Sequence, residues 1–516
     1  MSDDSATTPT NTKARPMNRW NIGTLSVLQI SSLLIIAILA NFLGSRYFSR
    51  SDLSRGEYYT LSSWTTGLLQ SAQVQERKTP VKMIVAFRRS TAMTERVRVL
   101  ADEYARVSGN KIVIERFDPV RDVDRAMQVA ETYNLAANSG VINRDDIVII
   151  DARDDTSAQA TQEDSAKIRF VTQEHMLLYE TNDGKSARRL SSFQGEDALT
   201  TGLLSAIEGK PRIVYFLADK SDFQTELEGG AWSVMRDSLL SQNILPVPVK
   251  MSELGEIPEN AAGVIIAAPR YDFTKSEMAS LVKYWNRPAS NIMVLLRAQQ
   301  TPDQLRSFLR DHGVTPRRDQ IVTTAGKNAV FQVEASFVPG FEYTRDFWNK
   351  STSFDGVSSS LEVREGAEDL INRRISPIKL LESAPKYWGE TGKTVTTPSF
   401  SDVEDIRGPL ALAAAVIRGA ASDDRFAAKA SRMVVISNAS FLEPNSLRNE
   451  NIDFFNATAN WLVGREEMSG TGPRTIGTYK LPLLTTQASF INRVNLFFLP
   501  AAALLIGLFV WNARRA

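Results

Sequence analysis

The sequence has no cysteine and only two histidines, His175 and His312, among 516 residues. The absence of cysteine excludes disulfides, thiolate metal sites, iron–sulfur clusters and a CxxC redox pair. A serine–histidine–aspartate triad would have to use one of these two histidines, which lie far apart in the sequence. We expect both to be structural polar residues, because a catalytic base needs a nucleophile and an orienting group beside it.

Charge excess and phosphate-binding loops are missing as well. With 60 basic and 59 acidic residues the net charge is +1, so the composition does not favour nucleic-acid binding. Gly392-Lys393-Thr394 imitates the end of a phosphate-binding loop, but residue 387 is tyrosine where that loop needs glycine. No G-x-G-x-x-G motif follows a strand. We therefore predict no catalytic residues, no cofactor and no metal.

A long charge-free window lies between Arg19 and Arg46. A helix rises 1.5 Å per residue, so about 20 residues cross a hydrocarbon layer of ~30 Å. A cleaved signal peptide is the alternative, but its apolar region is about 7–15 residues long and ends in a small-x-small site. This window is longer, and "ANFLGSRYF" is a poor cleavage site. We predict a first transmembrane helix over residues 22–45.

A second charge-free window lies between Arg493 and Arg514. Apolar side chains cover its whole circumference, which favours a membrane span over a buried amphipathic helix. We predict a transmembrane helix over residues 494–513, loosened near its start by Pro500.

Two spans place both termini on one side of the membrane. Basic residues beside the spans favour a cytoplasmic location for both ends; they are Lys13, Arg15, Arg19, Arg514 and Arg515. The bulk of the chain is then extracytoplasmic. Polar residues 1–21 are expected to form a disordered cytoplasmic tail, and residues 46–78 a juxtamembrane helix and linker.

The residues between the spans predict two α/β units. In residues 79–192 the order β-α-β-α-β-β suggests a thioredoxin-like domain without redox cysteines. Residues 193–470 alternate apolar strands with amphipathic helices, which predicts a larger, doubly wound and mostly parallel sheet. Residues 320–400 break this rhythm and are interpreted as an insertion. A linker over residues 471–493 leads to the second span.

Three carboxylates are candidates for a ligand site. Glu196 lies in the first turn of a helix that Gly195 opens, where acidic residues also offset the helix dipole. Asp219 and Asp222 follow the strand "RIVYFLA", at the carboxyl end where α/β sheets bind ligands. Helix capping is the simpler explanation for Glu196, so Asp219 and Asp222 are the better candidates.

Three stretches together resemble the GldG-like proteins, membrane-anchored auxiliary components of ABC transporters. They are "DLSRGEYYTLSSWTTGLL" after the first span, "FQGEDALTTGLLSAIEGKPRIVYFL" at the second unit, and "SRMVVISNASFLEPNSLRNENIDFFNATANWLVGREE" before the last span. The resemblance covers about residues 40–513. It implies a two-pass inner-membrane subunit with a large periplasmic region, beside an ABC permease and a separate cytoplasmic ATPase.

Two positions depart from the pattern of that family. Members often carry a Gly-His-Gly-Glu-like sequence where this chain has Ala218-Asp219-Lys220-Ser221-Asp222, and a Gly-Asp-Ser-Asp-Phe pattern where it has Ser437-Asn438-Ala439-Ser440-Phe441. These departures suit a scaffold better than an enzyme, and our leading prediction is a non-enzymatic auxiliary subunit of an ABC transport complex. Two alternatives stay open, an envelope or gliding-motility scaffold without a transport role, and an envelope carbohydrate-active hydrolase using Asp219, Asp222 or Glu196.

Overall fold

The computed structural model describes most of the chain, namely residues 19–46, 60–91, 93–135, 146–161, 163–181, 188–326, 328–348, 350–392, 398–419, 430–465, 476–477, 489–490 and 493–513. The tail before residue 19, Lys393-Thr394 and most of the predicted 471–493 linker lie outside these residues. The chain forms two compact units, residues 1–59 and residues 60–516.

Two helices correspond to the predicted spans. Helix α1, Arg19–Arg46, contains an apolar stretch, Val27–Leu43, that is shorter than a membrane span. Within the described residues one helix, Val494–Asn512, is long and apolar enough to cross a membrane. Apolar side chains in both stretches are exposed. One of the two predicted spans therefore has its expected length and composition, and the two-pass topology stays a prediction.

Pro500 disturbs the helix in which it lies. The chain winds as a π-helix over Val494–Phe498 and continues as the last α-helix, Leu499–Ala513. Proline lacks an N–H and its ring pushes away the carbonyl four residues earlier, so the preceding turns widen. The predicted loosening is present at this position.

Residues 60–208 build a first layered core. Its strands and helices in chain order are α2 (Ser63–Gln70), α3 (Ala72–Gln75), β1 (Val81–Ala86), α4 (Thr94–Val107), β2 (Ile112–Phe117), α5 (Val123–Thr132), β3 (Ile147–Asp151), β4 (Ile168–Thr172), β5 (Leu177–Thr181), β6 (Arg188–Phe193) and α6 (Gly195–Glu208). The first four strands form a sheet of order β2-β1-β3-β4, in which only β1 and β2 are parallel. Strands β3 and β4, the last two of the predicted β-α-β-α-β-β order, pair as an antiparallel hairpin.

Helix α6 belongs to this first core. The prediction made residue 193 the start of the larger unit, but the buried side chains of α6, among them Leu199, Leu203 and Leu204, join the cluster of β1, β3 and α4. The hydrophobic stripe of a helix shows that it is covered, but not which sheet covers it. Helix α6 therefore packs in the first core, and it ends at Gly209, which adopts φ 74°.

The remaining residues build the larger unit. Its elements are β7 (Arg212–Leu217), α7 (Ala231–Ser241), β8 (Ile244–Val249), α8 (Met251–Leu254), β9 (Gly263–Ala267), α9 (Lys275–Trp285), β10 (Asn291–Leu295), α10 (Asp303–Asp311), β11 (Val314–Pro316), β12 (Gln320–Ala325), β13 (Asn328–Val330), β14 (Val333–Phe337), β15 (Ser351–Phe354), β16 (Leu361–Val363), α11 (Glu368–Asn372), β17 (Ile375–Ser383), β18 (Trp388–Glu390), β19 (Ile406–Arg407), β20 (Ala411–Arg418), β21 (Ser431–Ile436) and α12 (Asn449–Leu462). A final strand, β22 (Ile476–Gly477), pairs with β6, and α13 is the C-terminal helix Leu499–Ala513.

The main sheet has eleven strands and is mixed, not mostly parallel. Strands β8-β7-β9-β10-β21 are parallel, and β20, β17, β14 and β15 extend the sheet in antiparallel fashion. The predicted insertion supplies four of these eleven strands, β14 to β17, while β12, β13, β18 and β19 form a separate small sheet. Its alternating residues signalled strands, but not that they would continue the same sheet.

Helices cover both faces of the parallel strands. Successive side chains point to opposite faces, so Met293 and Leu295 pack with α7 and α12, while Ile292 and Val294 pack with α9 and α10. Both faces are apolar, which explains why these strands are continuous hydrophobic runs in the sequence.

Gly202 lets α6 approach the first sheet closely. A Cβ there would lie 2.9 Å from Val171 Cγ2 and 3.0 Å from Ile150 Cδ1. We predict that Gly202→Val lowers the free energy of unfolding by about 1–3 kcal/mol through overpacking. Gly202→Ala should cost less, because the gain in helix propensity of about 1 kcal/mol offsets the clash. Denaturant unfolding of both variants measures these changes. An unchanged free energy of unfolding in Gly202→Val would contradict the close packing.

Candidate functional site

The carboxyl ends of the five parallel strands form one edge of the main sheet, here called the carboxyl edge. Strand β7 connects to β8 on one side and has β9 on the other, so the sheet has a switch point between β7 and β9. Open α/β sheets bind ligands in the crevice at such a point. Here main-chain bonds cross that crevice. The amide of Asp222 donates to Ala268 O at 2.9 Å, and that of Arg270 to Lys220 O at 2.8 Å.

Asp219 caps a short helix. Its carboxylate accepts hydrogen bonds from the amides of Met251, at 2.8 Å, and Ser252, at 3.2 Å, in the first turn of α8. Amides in the first turn of a helix have no partner within the helix, and a carboxylate there satisfies them. The side chain of Asp219 therefore holds α8 against the end of β7.

Asp222 belongs to a chain of ion pairs along the carboxyl edge. Its carboxylate lies 2.7 Å from Arg297 Nη1 and 3.2 Å from Arg270 Nη1, and Arg297 Nη2 lies 3.6 Å from Glu443 Oε1. Because a guanidinium group binds each of the two oxygens of this carboxylate, Asp222 has the contacts of an ion-pair partner within the fold. The arrangement connects the loops that follow four strands, β7, β9, β10 and β21.

Glu196 lies in the first core and not at the carboxyl edge. Its carboxylate accepts a hydrogen bond from the amide of Ser62 at 2.8 Å, and its carbonyl accepts one from the hydroxyl of Tyr104 at 3.0 Å. The three candidate carboxylates are thus not brought together in one site, and each has a partner within the fold.

A buried ion pair beside the switch point was not predicted. Lys220 Nζ lies 2.8 Å from Glu277 Oε1, and both side chains are less than 10% exposed. Burial alone would raise the pKa of Glu277, but hydrogen bonds from Lys220 and Thr274 outweigh it and lower that pKa below its usual value. The sequence "TKSE" at 274–277 has the pattern of a capping box, and the box is present. Nothing in that pattern indicates that Glu277 also binds a buried lysine.

The segment after β21 is also part of the frame. The amide nitrogen of Asn438 donates to Ser358 Oγ at 2.8 Å and to the carbonyl of Asp355 at 3.1 Å. Its side-chain oxygen accepts from the amide of Phe441 at 3.2 Å. Asn438 therefore fixes the loop after β21 to the strand-rich insertion.

Both histidines have local structural partners. His312 is buried and accepts a hydrogen bond from Trp285 Nε1 at 2.8 Å, while its Nδ1 lies 2.7 Å from Phe308 O. Burial lowers the pKa of His312, which keeps the ring neutral. His175 is exposed and completes a capping box with Thr172. Neither histidine contacts the carboxyl edge within the described residues.

The two chain ends of the folded body meet at residues 193–196, here called the exit corner. On the N-terminal side, Ser62 is bound by Glu196. On the C-terminal side, strand β22 pairs with β6, placing Ile476 opposite Phe193 and Gly477 opposite Ser192. Ser62 and strand β22 are therefore held next to each other in the body.

Asp197, next to Glu196, has an unusual environment. Burial, and secondarily the charge of Glu196, raises the pKa of Asp197 to about 6. The described residues offer its carboxylate no hydrogen-bond donor.

No family model and no curated protein matches the chain. Among solved structures, the mmIFT52 N-terminal domain is 16% identical and matches with a TM-score of 0.34, over 49% of this chain and 97% of that one. A putative ThuA-like protein from Bacteroides uniformis is 11% identical, with a TM-score of 0.27 over 51% and 95% of the two chains. Likenesses this distant carry no argument about function.

The raised pKa of Asp197 predicts a pH-dependent stability. Its folded pKa lies above its unfolded value, so the ionised form is unfavourable in the fold, and stability falls as the pH rises from about 4 to about 6. We expect Asp197→Asn to stabilise the protein at pH 7.5 by about 1–2 kcal/mol, with the gain vanishing below pH ~4. Thermal unfolding across pH measures this. The neighbouring Glu196→Ala should destabilise the protein, since it loses the bond to Ser62; a stabilising Glu196→Ala or a neutral Asp197→Asn would contradict the assignment.

The pairing of β22 with β6 predicts that cysteines introduced into these two strands form a disulfide. The chain has no native cysteine, so Ser192→Cys with Gly477→Cys introduces a single pair at directly opposed strand positions. Mild oxidation should join the two cysteines by a disulfide. The oxidised chain should then run with a different mobility from the reduced chain on a denaturing gel. Arg188→Cys with Gly477→Cys, four residues along β6, is the matched control and should stay reduced. Equal crosslinking of both pairs would show that β22 is not fixed on β6.

Proposed function

We propose that this chain is a non-enzymatic auxiliary subunit of a bacterial ABC transport complex, anchored in the inner membrane beside the permease. The observation that carries the proposal is the exit corner. Ser62 binds Glu196 and Ile476 pairs with Phe193, and these two partners lie three positions apart in the sequence. A body held by a membrane helix at each end needs its two ends to lie together, and this body has that property.

The length of α1 supports a two-pass topology. Its 28 residues correspond to about 42 Å of helix, more than the ~30 Å hydrocarbon layer requires. With Val494–Asn512 as the second span, both termini are cytoplasmic and the folded body is periplasmic. The basic residues outside the two windows agree with that orientation.

The contacts at the carboxyl edge support binding over catalysis. Asp219 is used as a helix cap and Asp222 as an ion-pair partner, and main-chain bonds close the crevice between β7 and β9. A rigid surface of this kind suits contact with another protein of the complex, the permease in particular, while a separate ATPase supplies energy from the cytoplasm.

The strand order of the first core supports a thioredoxin-like domain in the proposed subunit. Its strand order β2-β1-β3-β4 contains a parallel βαβ unit followed by an antiparallel pair, and α6 follows as the next helix on the same sheet. Without cysteine such a domain has no redox chemistry, so in the proposed subunit it acts as a mount between the anchors and the larger unit.

Purification from native membranes tests the transport role. We expect the tagged chain, extracted in a mild detergent, to bring with it a multi-span permease and an ATPase, identified by mass spectrometry. The matched control is a variant lacking residues 1–46, which keeps the folded body and loses the first anchor; it should recover markedly less of both. If the full chain brings down only envelope proteins, the scaffold alternative replaces the transport role.

A further inference from the structure

An open groove of about 410 Å³ lies where the first core meets the larger unit. One wall is the end of the α2–α3 segment, and the other is the connection from α6 to β7. The lining residues are Gln73, Arg77, Ile207, Glu208, Lys210 and Arg212. Three of these six side chains are basic and one is acidic, so the charge of Glu208 decides what the groove attracts.

The carboxylate of Glu208 is already neutralised from behind the groove. It accepts hydrogen bonds from Arg465 Nε at 2.8 Å, Arg212 Nη2 at 3.2 Å and Asn243 Nδ2 at 2.8 Å. Arg465 is 1% exposed, and it also donates to the carbonyl of Gln242. Since Arg465 offsets the single acid, the positive charges of Arg77, Lys210 and Arg212 remain for the groove.

Neutral groups orient the arginines at the groove. Arg77 donates to the carbonyls of Ala152 at 2.6 Å and Thr79 at 3.3 Å, and Arg212 donates to the carbonyl of Val463. Carbonyls fix the direction of a guanidinium without removing its charge. No carboxylate within the described residues pairs with Arg77 or with the exposed Lys210.

Burial, together with the neighbouring charge of Arg212, lowers the pKa of Arg465 to about 10 although Glu208 opposes this. An anion in the groove would offset the repulsion between these guanidinium groups.

We propose that this groove binds a small soluble anion with two or more phosphate groups. Its phosphoryl oxygens would bridge Arg77 of the first core and Lys210 and Arg212 at the start of the larger unit, because oriented guanidinium groups match phosphate geometry. The 410 Å³ volume suits a small phosphorylated molecule. The groove is separated from the exit corner by the 14 residues of α6, about 20 Å of helix, which favours a soluble anion over a lipid headgroup. The binding site does not depend on the transport role, whereas the preference for a soluble anion rests on the proposed membrane anchors beside the exit corner.

Calorimetric titration of the full chain in a neutral detergent tests the site, with inorganic pyrophosphate as the probe and constant ionic strength. Lys210→Gln removes an exposed charge without disturbing the frame, and we expect it to weaken binding about tenfold, the loss of one charge-assisted contact. Lys275→Gln, an exposed lysine at the start of α9 in the larger unit, is the matched control and should bind as tightly as the original chain. Orthophosphate should bind more weakly than pyrophosphate.

Three outcomes would overturn the proposal. The first is no binding of pyrophosphate to the original chain. The second is equal weakening by Lys210→Gln and Lys275→Gln, which would indicate diffuse surface charge. The third is a Lys210→Gln defect confined to vesicles containing phosphatidylglycerol, with pyrophosphate binding unchanged, which would assign the groove to lipid.

Discussion

Where α6 crosses the first sheet, a glycine occupies position 202 because the methyl groups of Val171 and Ile150 fill the space that a side chain would need. This close contact fixes α6 against strands β3 and β4. The two ends of the helix then serve different partners. Glu196 at the start binds Ser62, and Glu208 at the end binds Arg465 and Arg212 of the larger unit. The positions of the chain ends and of the larger unit both depend on that one packed helix.

The larger unit uses the framework of a ligand-binding α/β sheet without an open ligand site at its switch point. Residues that would line the crevice between β7 and β9 bond to each other through Asp222, Ala268, Lys220 and Arg270. The buried pair of Lys220 and Glu277 adds to this rigidity, although such pairs contribute less to stability than their geometry suggests, because both charges lose their hydration. The groove where the first core meets the larger unit is open, whereas main-chain bonds close the edge at which sheets of this kind normally bind ligands.

The sequence predicted the positions of helices and strands better than it predicted which of them pack or pair together. Strands such as β9, β10 and β21 were recognisable because both of their faces are buried, which produces unbroken apolar runs. The membership of α6 was wrong, since its apolar stripe is the same whichever sheet covers it. The extension of the main sheet by β14 to β17 was missed for a related reason. Pairings such as Ala335 with Ser383 and Leu361 with Ala411 join residues about 50 apart and leave no local pattern. Asp219 was correctly located at the end of β7, but its partners are amides of residues 251 and 252, which only the fold brings near.

Ser62 and Ile476 are both held at residues 193–196, so the two ends of the folded body share one attachment point. A force applied to these two ends would therefore reach the body close to β6 and the first turn of α6. Within the described residues, the eleven-stranded sheet has no strand at this corner. In the proposed two-pass arrangement, movement of the membrane segments would turn the body about this corner.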